Sequence, residues 1–90
     1  MSASALGQLG TGLPGRLRDV SRGGLAVRLS RFFAPGILLS IELSKQTKRG
    51  ARSFPVQVVH VTPGGKNHWI MGCAFIYPPS KYELLTLIGQ

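Results

Sequence analysis

A two-residue alternation of apolar and polar side chains, cut repeatedly by glycine and proline, constrains this chain more than any other feature. Leu25, Val27 and Leu29 alternate with Ala26, Arg28 and Ser30, the pattern of a strand with one face buried and the other in water. Ile37, Leu39, Ile41 and Leu43 repeat it after a Pro35-Gly36 turn, and Arg16-Leu17-Arg18-Asp19-Val20 shows a shorter version whose polar face carries both arginines. Ser21-Arg22-Gly23-Gly24 follows that last segment as a turn, in which the two glycines are expected to supply positive φ. Leu38, on the opposite face from Leu39, suggests partial cover on that side.

Two further strands follow. Phe54 to Val61 is rich in valine, and the Val58-Val59 doublet breaks its alternation in the manner of a β-bulge. Thr62-Pro63-Gly64-Gly65-Lys66-Asn67 is dense in turn formers. Trp69, Met71, Cys73, Phe75 and Tyr77 then fall on one face of the next strand, so the two segments predict a hairpin. Pro78-Pro79 ends the ladder, and Ser80-Lys81-Tyr82-Glu83 fits a capping box that starts a short helix at Lys81. Leu84, Leu85, Leu87 and Ile88 give that helix an apolar face, with Gly89 as its stop. The 90 residues suffice for one core and not two, so residues 13–90 read as one domain. Residues 1–12, small and Gly-rich, read as a flexible lead-in or a frayed first strand. The expected fold is mainly β, a small antiparallel barrel with a C-terminal helix against one end.

Charge narrows the chemistry. Eleven Lys and Arg against three Asp and Glu give a net charge of +8, which directs attention to anionic partners: nucleotides, nucleic acid, acidic surfaces. With Asp19, Glu42 and Glu83 as the only acids, paired-carboxylate catalysis and an oxygen-ligated Ca²⁺ or Mg²⁺ cage lack material. No G-x-S-x-G accompanies the serines, so an enzyme is not expected. The single cysteine, Cys73, cannot form an internal disulfide and reads as a buried small hydrophobe. His60 and His68 could approach each other across the hairpin, but two histidines without a third ligand do not make a zinc site. Met1 to Leu13 lacks the basic start and apolar stretch of a leader, and the longest apolar stretch, Ile37 to Leu43, is far below the ~18 residues of a membrane span. A soluble protein in a reducing, cytoplasmic setting is the expectation.

The most informative segment is Arg16 to Gly24, where Asp19, Ser21 and Gly24 form D-x-S-x-x-G between two strands. A carboxylate can accept from the N–H groups of a guanine, a hydroxyl can donate or accept beside it, and glycine removes a Cβ that would block close approach. Arg16, Arg18 and Arg22 add guanidiniums that pair with guanine O6 and N7, stack on its face or bind phosphate. The same residues also build an ordinary strand-to-strand turn. The Lys45, Lys48, Arg49 and Arg52 run reads as a solvated hairpin tip, and Phe32, Phe33, Trp69 and Phe75 mostly as packing residues.

Taken together, the Asp19-to-Leu25 turn, the Pro35-Gly36 turn, the Val-rich strand and Gly72-Cys73-Ala74-Phe75 before a terminal helix resemble the PilZ domain family, from about Leu13 to Ile88. The resemblance implies a six-stranded β-barrel with a C-terminal helix and a non-enzymatic, cytoplasmic role in bacterial second-messenger signalling. The implied ligand is cyclic di-GMP, with no other cofactor and no metal. The implied protein partner belongs to a motility, pilus or exopolysaccharide system, and nucleic acid is not expected. Family members that bind the dinucleotide pair the D-x-S-x-x-G turn, here Asp19, Ser21 and Gly24, with an R-x-x-x-R clamp. No arginine precedes Arg16, so the clamp has no counterpart and weak binding is expected, with Arg16, Arg18 and Arg22 as partial substitutes. Two arrangements fit this departure: a chain whose upstream residues carry the clamp, or a degenerate domain acting as a protein adaptor. A basic barrel that binds RNA or single-stranded DNA is the alternative from another class.

Overall fold

The computed structural model describes residues 2–6, 12–44 and 52–83. The described residues form six strands: β1 (Ser2–Leu6), β2 (Gly12–Val20), β3 (Gly24–Leu29), β4 (Leu38–Ser44), β5 (Arg52–Pro63) and β6 (Trp69–Phe75). All neighbours are antiparallel, and the sheet closes on itself in the order β1-β2-β3-β6-β5-β4. Closure leaves no sheet edge, which is how a short, basic, β-rich chain satisfies every strand without an external partner.

Alternation decides what fills the interior. Leu25, Val27 and Leu29 from β3, Leu39 and Ile41 from β4, Phe54, Val56 and Val58 from β5, and Met71, Cys73 and Phe75 from β6 are buried together. Burying aliphatic side chains of this size contributes roughly 1.5–3 kcal/mol each relative to exposure. Phe54 and Phe75 meet edge to face, with ring centroids 5.7 Å apart. Phe33 and Ile37, in the connection between β3 and β4, pack against the same core, as does Trp69.

The turns follow the sequence. The Ile37 N–H donates to the Ala34 carbonyl (3.2 Å) across Pro35-Gly36, and Gly36 takes φ +97°, as the third position of a type II turn requires. Ser80 and Glu83 form both halves of the capping box: the Glu83 N–H donates to Ser80 Oγ (3.1 Å), and the Ser80 N–H to Glu83 Oε1 (3.2 Å). Residues 81–83 are helical. The apolar face expected at Leu84 to Ile88, with its stop at Gly89, and the basic run at Lys45, Lys48 and Arg49 lie outside the described residues.

Several expectations change. Ser2–Leu6, within the stretch read as a lead-in or frayed first strand, is β1, paired with β2 on one side and β4 on the other. Its serines and alanines carry little strand propensity, and the two backbone ladders hold it instead. Gly23 and Gly24 do not have positive φ; among the described glycines Gly36 and Gly65 do. Tyr77 is not on the inner face, because β6 stops at Phe75 and Tyr77 is 74% exposed. Leu38 is exposed rather than partly covered.

Candidate functional site

Two irregularities on opposite sides of the β3–β6 pair shape the outer surface. In β2, Leu17 pairs with Val27 and Asp19 with Ala26, so Arg18 is an extra residue in a β-bulge. In β5, Val58 pairs with Cys73 and His60 with Gly72, so Val59 is the extra residue, as the Val58-Val59 doublet predicts. Ala26 in turn pairs with Gly72. One rung of the sheet therefore reads Asp19, Ala26, Gly72, His60, with a bulge at each end.

Each bulge reverses which residues face inward. Leu13 and Leu17 of β2 pack against the core at alternate positions, and uninterrupted alternation would bring Asp19 inside with them. The Arg18 bulge instead leaves both Arg18 and Asp19 exposed and returns Val20 to the core side. Likewise Val59 and His60 are both exposed while Val58 is buried and Val61 packs inward.

The result is an open groove of about 450 Å³ on the outer face. The small residues Gly24, Ala26, Gly72 and Ala74 lie along it between β2 and β5, with Gly24, Ala26 and Ala74 half-buried and Gly72 buried. Asp19 and Ser21 stand on one side and Val59 and His60 on the other. Asp19 Oδ1 accepts from the Val20 N–H (2.9 Å), and its second oxygen has no partner among the described residues. The Ser21 N–H donates to the Gly24 carbonyl (2.8 Å), and the Ser21 hydroxyl donates to the same carbonyl (3.4 Å), closing the turn. The Asp19 carboxylate can thus take hydrogen bonds from a ligand's N–H groups, and the Ser21 hydroxyl can reorient toward one.

Gly24 has a structural duty that the sequence reading missed. A Cβ there would collide with the Cys73 carbonyl oxygen and stand 3.1 Å from the Cys73 carbonyl carbon. Glycine at this position lets β3 approach β6, whatever it also permits a ligand to do.

The arginines disperse. Arg18 and Arg22 are exposed beside the groove in sequence but do not line it. Arg16 lies directly across from Arg28 on the β2–β3 ladder, three residues before Asp19. Arg28 does not join the Asp19 turn: its Nε donates to the Gly64 carbonyl (2.7 Å) in the β5–β6 hairpin loop. Arg31 lies over the Phe33 ring, 5.3 Å from its centroid. Phe32, half exposed, meets Trp69 edge to face at 6.1 Å.

His60 and His68 are not brought together. His60 is opposite Gly72, while His68 precedes β6, its Nδ1 2.8 Å from the Lys66 carbonyl. No cluster of three metal-ligating side chains occurs among the described residues. Cys73 is buried, and desolvation pushes its thiol up to about 11, which keeps it protonated and unreactive near neutrality. No helix among the described residues is long and apolar enough to cross a membrane.

A closed six-stranded barrel with a D-x-S-x-x-G turn at the rim of an outer groove defines a small binding-module architecture. The sequence model of the PilZ domain family matches residues 2–89, nearly the whole chain, and the chain belongs to that family. PilZ domains are in general non-enzymatic modules that bind cyclic di-GMP or act as adaptors. No curated protein and no solved structure matches the chain significantly.

Proposed function

We propose that this protein is a non-enzymatic, cytoplasmic signalling module that binds cyclic di-GMP in the groove beside the Asp19 to Gly24 turn. The observation that carries the reading is the Arg18 bulge, which turns Asp19 outward so that its carboxylate, Ser21 and the Gly24 backbone line one open groove. In this mechanism Asp19 accepts from the ring N–H and amino group of one guanine and Ser21 supports the same edge. Arg18 and Arg22, exposed and flanking the Asp19–Ser21 segment in sequence, are the cations that answer the two phosphates. Arg16 contributes least, because it lies farther along β2 beside Arg28. Residues 1–15 hold no arginine, so they supply none of the charge-assisted contacts, worth roughly 1–3 kcal/mol each, that an R-x-x-x-R clamp would add.

Calorimetric titration tests this directly. The protein should give saturable heat with cyclic di-GMP at sub-millimolar concentration, and Asp19→Ala should weaken binding by roughly 10- to 100-fold with little change in melting temperature, since the side chain is exposed. Absence of saturable heat from the unaltered protein overturns the proposal. The adaptor reading has its own support in Leu38, Ile76 and Tyr77, apolar side chains left exposed at 58%, 41% and 74%. A partner from a motility, pilus or exopolysaccharide system would then be bound whether or not the nucleotide is present.

A further inference from the structure

The groove has two chemically different sides, and the Asp19 turn accounts for one of them. Across the rung from Asp19 the imidazole of His60 lies over Gly72, in the space a Cβ would take: Nε2 and Nδ1 stand 2.6 and 2.8 Å from that position, and Cε1 nearer still. The ring is placed against the β6 backbone because Gly72 has no side chain, and His60 is nevertheless exposed. Beside it Val59, the extra residue of the bulge, is 54% exposed. A planar ring laid on backbone next to an exposed aliphatic side chain makes a flat, mostly apolar surface. Because the His60 ring lies over Gly72, it stands two inter-strand steps from Asp19, roughly 10 Å along the sheet, so each side of the groove can receive its own base.

We propose that His60 and Val59 form a second base platform, so that one cyclic dinucleotide divides its two bases between the ends of the groove. One base gives its N–H edge to Asp19 and Ser21, and the other stacks on the His60 ring with its edge against Val59. The inference rests on the cyclic di-GMP reading above and adds the residues that take the second base. Stacking is sequence-tolerant and depends on a ring rather than on a particular donor. Phenylalanine should therefore replace His60 while alanine should not. The platform also supplies a contact that needs no arginine clamp.

The test uses the intact protein and cyclic di-GMP, with calorimetry for affinity and NMR for the two imidazoles. The chain contains only His60 and His68, and His68 lies outside the groove, so its ring resonances are an internal control. On adding ligand, the His60 ring protons should move upfield from the ring current of a stacked base while those of His68 stay. His60→Ala should weaken binding about 10-fold or more, and His60→Phe should stay within about 3-fold of the unaltered protein. If the protein binds, Asp19→Ala weakens binding as expected, and the His60 resonances and the His60→Ala affinity are both unchanged, the platform is overturned and the Asp19 site stands. If the unaltered protein shows no binding, both proposals fall. The wild-type NMR shift does not depend on any variant folding.

Discussion

Gly24 belongs to the motif that points to a ligand, yet the geometry gives it a structural role that can be measured with no ligand present. In Gly24→Ala, the new Cβ would collide with the Cys73 carbonyl oxygen and lie 3.1 Å from its carbon and 3.3 Å from the Ala74 Cα. All three are backbone atoms, so relief requires β3 and β6 to separate where Gly24 pairs with Ala74 and Leu25 with Cys73. Overpacking of this kind costs about 1–3 kcal/mol. Separation also endangers the Phe75 N–H to Gly23 carbonyl bond (3.0 Å), worth about 1 kcal/mol. The lower entropy of an alanine-containing unfolded chain returns about 0.4–1 kcal/mol. The net loss is then roughly 2–3 kcal/mol, which for a domain of this size lowers the melting temperature by roughly 10–20 °C. Gly23→Ala is the matched control, because nothing lies within 4 Å of a Cβ there and its φ is not positive. Thermal and urea unfolding followed by circular dichroism should separate the two variants clearly. Equal melting temperatures for Gly24→Ala and Gly23→Ala would refute the close-approach argument and return Gly24 to a purely ligand-facing role.

The Cys73 thiol should resist alkylation in the native protein at pH 8 and react at once in denaturant. Its folded pKa of about 11 stands above the ordinary 9.0, so the unfolded chain ionises first and stability should decline as pH rises from about 9 to about 11. Cys73→Ser, which cannot ionise in this range, should flatten that decline in a pH series of urea melts. Ser80→Ala removes the acceptor of the Glu83 N–H and should cost about 1 kcal/mol, read as a lower urea midpoint at unchanged slope.

Much of this architecture is legible in the sequence because apolar residues at every second position leave few choices. Leu25-Val27-Leu29 and Ile37-Leu39-Ile41 predict β3 and β4, and the Val58-Val59 doublet predicts the bulge of β5. The capping box predicts the hydrogen bonds between Ser80 and Glu83. β1 is hidden because Ser-Ala-Ser-Ala-Leu offers no large side chain to reveal its period, and backbone pairing on both sides holds it. The arginines look clustered in sequence because β3 is short, but a strand of six residues carries Arg28 to the opposite end from the Asp19 turn, where it reaches Gly64. The site is half legible: Asp19, Ser21 and Gly24 stand out as a motif, whereas Ala26, Gly72, Val59 and His60 join it only through register. A signal for the Arg18 bulge exists in the three-residue step from Leu17 to Val20, but two polar residues near a strand end look like the start of a turn.

The two bulges tie the core and the groove to one choice of register. Val20 and Val61 reach the inner side only because Arg18 and Val59 each add a residue, and the same additions put Asp19 and His60 outside. Suppressing the β2 bulge while keeping every residue would turn Asp19 inward and Val20 outward. That exchange leaves an unpaired carboxylate among Leu25, Val58 and Cys73 and gives up the burial of a valine. A buried, uncompensated carboxylate costs several kcal/mol, a large fraction of what holds a 90-residue domain together. The outward aim of Asp19 is therefore enforced by packing, so the groove stands ready before any ligand arrives. A ligand that binds there need not supply the free energy of shaping this part of the site, which favours measurable binding even with a reduced set of cationic contacts.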